Sequence, residues 1–176
     1  MKRKPIGILL LGAAIVVAAA ASIATRRPGR LWQTEAENSA IWALRALMWA
    51  EFAFGAKNGG FYDEPGCLTA PASCLPGYAG QPFLRKDFDA AARQAGYQIT
   101  YYPGPSAEGW TGGTKAASPR GAQSFAFIAR PPANTWYGPR TICADSAIRM
   151  CASTGPTFDA AAGVCPAECH AGARQW

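Results

Sequence analysis

The sequence predicts an α+β fold: a long helix packed on a small antiparallel sheet of about four strands, set behind an N-terminal membrane helix. Three observations predict it. An uncharged run from Ile6 to Thr25 opens the chain, residues 34–54 repeat apolar side chains at helical spacing, and short β-rich runs separated by Pro/Gly stops follow residue 96. One helix followed by several strands places the helix over one sheet face. At 176 residues the chain is one domain plus appendages. Its expected divisions are 1–27, a membrane anchor or signal segment; 31–56, a helix joining anchor to head; 57–152, a disulfide-stapled sheet head; and 153–176, a Cys-containing tail.

The first segment combines Lys2, Arg3 and Lys4 with the run IGILLLGAAIVVAAAASIAT, 20 residues without a charge. That length matches a bilayer core of roughly 30 Å at 1.5 Å per residue. A transmembrane anchor is one reading. A cleaved signal peptide is the other, because Ala18-Ala19-Ala20 and Ser22-Ile23-Ala24 are small-x-small sites. The run exceeds the usual signal core of roughly 7–15 residues, which favours the anchor. Both readings export the rest of the chain, to the periplasm or the cell exterior.

Charge and cysteine content narrow the class. Residues 1–30 hold six Lys/Arg and no acid, whereas residues 31–176 hold 11 of each sign, so the net +6 belongs to the N-terminal segment. A nucleic-acid binder needs basic charge clustered on its folded domain, and none is predicted here. The six cysteines, Cys67, Cys74, Cys143, Cys151, Cys165 and Cys169, all follow the apolar run. In an oxidising compartment they read as three disulfides. Cys67–Cys74 is the expected local pair. For the other four, neighbour pairs Cys143–Cys151 and Cys165–Cys169 compete with a nested arrangement. Cys165, Cys169 and His170 are too few donors for a zinc site, so no metal and no other cofactor is expected.

Arg26-Arg27-Pro28-Gly29 interrupts the apolar run, and a second helix is expected to start near Thr34, an N-cap with Glu35 and Glu37 in the first turn. It should run to about Phe54 and end at Gly55 or at Asn58-Gly59-Gly60. Ile41, Leu44, Met48 and Phe52 form one stripe, and Trp42 and Trp49 a second. A helix apolar nearly all round is expected to be covered on more than one side. Either the two tryptophans form a partner surface, or they pack under the sheet and the loop 104–121.

Residues 61–82 read as a Pro/Gly-rich loop and Arg85 to Gln94 as a short helix. Tyr97–Tyr102 and Ser124–Ala129 read as strands, and Arg140–Cys143 with Ile148–Cys151 as a hairpin around Ala144-Asp145-Ser146-Ala147.

Ser39-Ala40-Ile41-x-x-Leu44-Arg45-x-Leu47, then Gly59-Gly60-Phe61-Tyr62, Gly96-Tyr97-Gln98-Ile99-Thr100-Tyr101 and Phe125–Pro131 resemble, in order and spacing, type IV pilins and the pseudopilins of type II secretion. The likeness covers most of residues 30–150. It implies a pilin-like head on an N-terminal helix and, as partners, the membrane and other pilin-like or secretion-system subunits. Counted back from Ser39, the position of the family's cleavage glycine is Lys4 and that of its helix glutamate is Leu9. The resemblance therefore implies an anchored pilin-derived protein or atypical minor subunit rather than a major pilin.

Catalysis is not expected. His170 is the sole histidine and lies in the tail, and Asp63-Glu64 and Asp87/Asp89 stand in loop and helix-start settings suited to solvation and capping. Gly112-Gly113-Thr114-Lys115 lacks the Walker spacing, and Ser39, Ser124 and Ser146 lack an elbow motif. The expected function is a non-enzymatic envelope subunit whose contact candidates are Trp42 and Trp49. The competing expectation is an exported ligand-binding or adhesion module using Trp110, Trp136 and Tyr137, since loops on a scaffold often carry recognition.

Overall fold

The structure, a computed structural model, describes residues 28–109, 116–133, 140–154 and 160–167. The expected membrane segment therefore lies outside the described residues, as do Trp110, Trp136, Tyr137, Cys169 and His170. No helix among the described residues is long and apolar enough to cross a membrane.

Helix α1 runs Pro28–Gly55, 28 residues or about 42 Å. It begins six residues before the expected N-cap Thr34. Proline fits a first helical position, where its missing N–H is no loss, so Pro28 stands within the described helix and not before it. The other end follows the sequence. Gly59 and Gly60 take positive φ of 69° and 91°, and Gly60 N–H donates to the Gly55 carbonyl at 2.8 Å. That closes the helix with a left-handed C-terminal turn that glycine adopts without strain.

Four strands follow as an antiparallel meander in the order β1-β2-β3-β4. They are β1 Gln98–Pro103, β2 Phe125–Arg130, β3 Thr141–Asp145 and β4 Met150–Ser153. Tyr101 pairs with Phe127, and Ile128 with Cys143. A short helix α2 spans Pro65–Thr69, and the helix expected from Arg85 is confined to α3, Ala90–Gln94.

Alternation along β2 sorts the core into two layers. Phe125, Phe127 and Ala129 join Leu44, Leu47 and Phe54 of α1 in the main cluster. Ala126 and Ile128 point the other way, to Cys143, Cys151, Ala160 and Cys165. A sheet covered on both faces explains why β2 carries an almost unbroken apolar run.

Disulfides fasten both layers. Cys67–Cys74 closes the loop after α2, as expected. Cys143–Cys165 ties β3 to the segment 160–167. That bond belongs to neither arrangement expected for the last four cysteines, neighbour or nested. Cys143 points to the face that the tail covers, and the tail brings Cys165 there first. Cys151 is also disulfide-bonded.

Buried acids supply the remaining ties. Asp145 is wholly buried at the β3–β4 turn. Its carboxylate accepts from the Ala147, Arg149 and Cys165 N–H groups and pairs with the Arg149 guanidinium at 2.7 Å. These bonds hold Ile148 at φ 60°, a left-handed conformation that costs a β-branched residue on the order of 1–2 kcal/mol. Glu37, expected in the first helical turn, instead sits in mid-helix. It receives Arg140 Nη2 at 2.5 Å and Nε at 3.1 Å, which links α1 to the start of β3. The paired hydrogen bonds hold the Arg140 guanidinium above its ordinary pKa.

Candidate functional site

Seen down its axis, α1 has a seam turned inward and a stripe turned outward. The inward seam, Glu37, Ala40, Leu44, Leu47, Glu51 and Phe54, is buried throughout. The outward stripe, Glu35, Asn38, Trp42, Trp49 and Ala53, is exposed. The seam advances by three or four residues at every step, and the stripe does so except between Trp42 and Trp49, which stand seven residues, or two turns, apart.

The two tryptophans are 67% and 61% exposed. Neither ring is buried under the sheet, and among the described residues nothing covers α1 on this side. Trp42 lies under the Arg45 guanidinium, 5.5 Å from the ring centre. Trp49 touches Phe52 edge-on at 5.8 Å. Phe52 in turn meets Tyr62 and Phe125, so the exposed ring is braced by the core. Beside Trp49 a groove of about 410 Å³ runs between α1 and residues 83–88, with Ala46, Ala53, Phe83, Arg85 and Phe88 in its lining. Phe83 packs on Phe54 and Tyr78, which fixes that wall.

A second cluster lies at the far end of α1 and was not visible in the sequence. Glu51 and Asp63, 12 residues apart, are buried together with Asn58 and Ser118. Asp63 N–H donates to Glu51 Oε2 at 3.2 Å, and the Ser118 hydroxyl donates to Asp63 Oδ2. Ser118 N–H donates to Asn58 Oδ1 at 2.7 Å. Glu51 Oε1 has no hydrogen-bond partner among the described residues. Burial, and then the neighbouring Asp63 charge, push the Glu51 carboxyl well above its ordinary value against the pull of the Asp63 N–H. Burial, and then the charge of Glu51, likewise raise the Tyr62 and Tyr101 hydroxyls. The expectation that Asp63 serves solvation is thus overturned: it is a buried strut that holds residue 118 against the helix end. Neither Glu51 nor Asp63 lines the groove.

Asp63, Cys67 and Cys74 are the one group of potential metal donors found among the described residues. The two sulfurs are joined to each other, so no thiolate remains, and Arg120 Nη2 stands 3.6 and 3.5 Å from them. A guanidinium at that distance opposes a cation. Arg120 also pairs with Glu64 at 2.7 Å. The remaining sequence candidates serve local structure. Asp87 pairs with Arg85, whose hydrogen bonds lower its carboxyl, and Asp89 pairs with Arg93. Ser39 bonds the Glu35 carbonyl and Ser124 the Ala162 carbonyl.

No protein family, curated protein or solved structure matches this chain. The class that fold and surface define is accordingly a physical one: a disulfide-stapled α+β domain with a braced aromatic stripe on the outside of its long helix.

Proposed function

We propose that this chain is a non-enzymatic envelope protein, a pilin- or pseudopilin-like structural or interaction subunit held at a bilayer by its N-terminal segment, with the head in the periplasm or outside the cell. The outward stripe of α1 carries this reading. Two tryptophans kept in solvent, one braced by Phe52 and one stacked by Arg45, form a contact face, because large exposed aromatic side chains mark surfaces that meet something else. Two further observations support it. The long helix on a four-stranded meander is the architecture that the resemblance implies. The disulfides Cys67–Cys74 and Cys143–Cys165 suit a head exported by the apolar run.

The test is mass spectrometry of the protein isolated from membranes, with maleimide labelling before and after reduction. The expected result is an intact N-terminus, extraction by detergent only, and no reactive thiol until a reductant is added. A cut near Ala20 or Ala24 would replace the anchor with a signal peptide. Six free thiols on a cytosolic chain would sink the reading altogether.

A further inference from the structure

We infer that the outward face of α1, with the neighbouring rim of the groove, docks on the anionic headgroup layer of a bilayer. This names the partner of the contact face and rests on the anchored reading. Trp42 and Trp49 stand two helical turns, or about 10 Å, apart on one line, so both enter the layer together only when α1 lies along it. An indole suits that depth: its body is apolar and its N–H is a donor, so it settles where hydrocarbon meets water.

The charges around the stripe fit the same surface. Arg45 covers the Trp42 ring, Arg85 lines the groove, and Lys57 and Lys86 are exposed close by in the chain. Against these four cations stand two exposed acids: Glu35 at the upstream end, and Asp87, which Arg85 already holds at 2.9 Å. Long basic side chains place their stems on apolar surface and their heads on phosphate, which favours an anionic leaflet. Upstream, the uncharged run ends at Thr25, three residues before α1 opens at Pro28, and Arg26, Arg27 and Arg30 occupy the junction. The bilayer that takes the run therefore begins within a few residues of the helix. A protein partner would need to match a stripe of two large rings with cations around it, and nothing else among the described residues of this surface specifies one.

The full chain, reconstituted in vesicles of phosphatidylethanolamine and phosphatidylglycerol with brominated acyl chains, tests this by quenching of tryptophan emission. The variant Trp42→Phe/Trp49→Phe should lose about a third or more of the quenchable signal, since it removes two of the six tryptophans. Arg45→Gln/Arg85→Gln/Lys86→Gln should lower quenching in the same vesicles and leave it unchanged in phosphatidylcholine alone. Equal quenching in wild type and the tryptophan variant would overturn the proposal. So would a benzophenone side chain at position 49 that captures a polypeptide of fixed mass and no lipid, which would assign the face to a protein partner. Carbonate extraction of the same vesicles reports the anchor separately. If the chain washes off, the anchored reading has failed, and flotation with phosphatidylglycerol vesicles then decides. Flotation that Trp42→Gln/Trp49→Gln abolishes upholds lipid docking, and absence of flotation overturns it.

Discussion

The two faces of α1 invert the usual distribution of side chains. The buried seam contains two carboxylates, Glu37 and Glu51, and the exposed stripe contains two tryptophans. The acids are inside because of where they sit in the helical repeat. Position 37 precedes Ala40 by three, and position 51 follows Leu47 by four, so both fall on the line that the core residues draw. The tryptophans are outside for the same reason, seven residues apart on a line the core never meets. Spacing, not hydrophobicity, decides burial here, and each misplaced side chain needs its own physical account. Glu37 has Arg140, Glu51 has one backbone N–H and a raised pKa, and the tryptophans have a surface to contact.

The comparison breaks first if the inward seam is not the core. Phe54, on the inner face of α1, is wholly buried and meets the Phe83 ring edge-on. Phe54→Ala should cost about 3–5 kcal/mol through lost burial and the cavity left behind. Urea unfolding measures this as a shift in midpoint at constant slope. A loss below about 1 kcal/mol would mean that the seam is not packed as described.

The two buried acids differ in how they are tolerated, and Arg140 exposes the difference. Arg140→Met removes the guanidinium from the buried Glu37 carboxylate and keeps the residue-140 N–H that donates to it at 3.2 Å. A broken buried pair costs about 3–5 kcal/mol. The Arg140 side chain is 35% exposed, and solvent screening lowers the expected loss to about 2–3 kcal/mol. Adding Glu37→Gln to that variant should restore most of the stability, since no charge then remains buried. Restoration by the second change, followed by thermal melting, is the diagnostic result. Further loss would show that Glu37 contributes by shape alone.

Much of this architecture was legible and some was not, for identifiable reasons. The stripe Ile41, Leu44, Met48 and Phe52 was legible because a 3.6-residue period is fixed by helix geometry; the first three are buried and Phe52 is half-buried against the core. The strands around Tyr97–Tyr102 and Ser124–Ala129 were legible to within one residue because β-rich runs ended at Pro103 and Pro131. The start of α1 was misplaced because proline reads equally as a stop and as a first helical residue. The Cys143–Cys165 bond was not legible, because connectivity depends on which sheet face the tail crosses. The pairing of Glu51 with Asp63 was hidden as well. Their contact needs the turn through Asn58 to Phe61, which returns the chain along the helix end. One local signal did exist: Glu51 continues the period of Leu44 and Leu47, so an acid was due on the inner face.

Glu51 sharpens the comparison through pH. Its folded pKa is raised, so above the ordinary glutamate range the folded state holds a proton that the unfolded chain has released. Its contribution is therefore fully present below the unfolded value and is lost as pH rises through the folded one. Wild-type melting temperature should fall on that alkaline limb. Glu51→Gln, which keeps an acceptor for the Asp63 N–H, should flatten the limb and melt higher at its upper end. Parallel pH profiles for the two proteins would show that Glu51 does not titrate as its burial requires.

The smallest effect belongs to the outer face, and its smallness is the point. Trp42→Gln removes one exposed ring and its contact with Arg45, an interaction of about 0.5–1 kcal/mol at such a site. Trp49→Gln removes the edge contact with Phe52, about 0.5–1.5 kcal/mol, and should be the costlier of the two. The rings are seven residues, or about 10 Å, apart and make different ring contacts, with Arg45 and with Phe52, so the losses should add. The double variant should then unfold in one cooperative transition, destabilised by about 1–2.5 kcal/mol, less than the change at Phe54. A surface kept for a partner has this signature, with a large consequence for association and little for folding. Loss of the cooperative transition in the double variant would instead make both rings part of the core, and the contrast between the two faces of α1 would disappear.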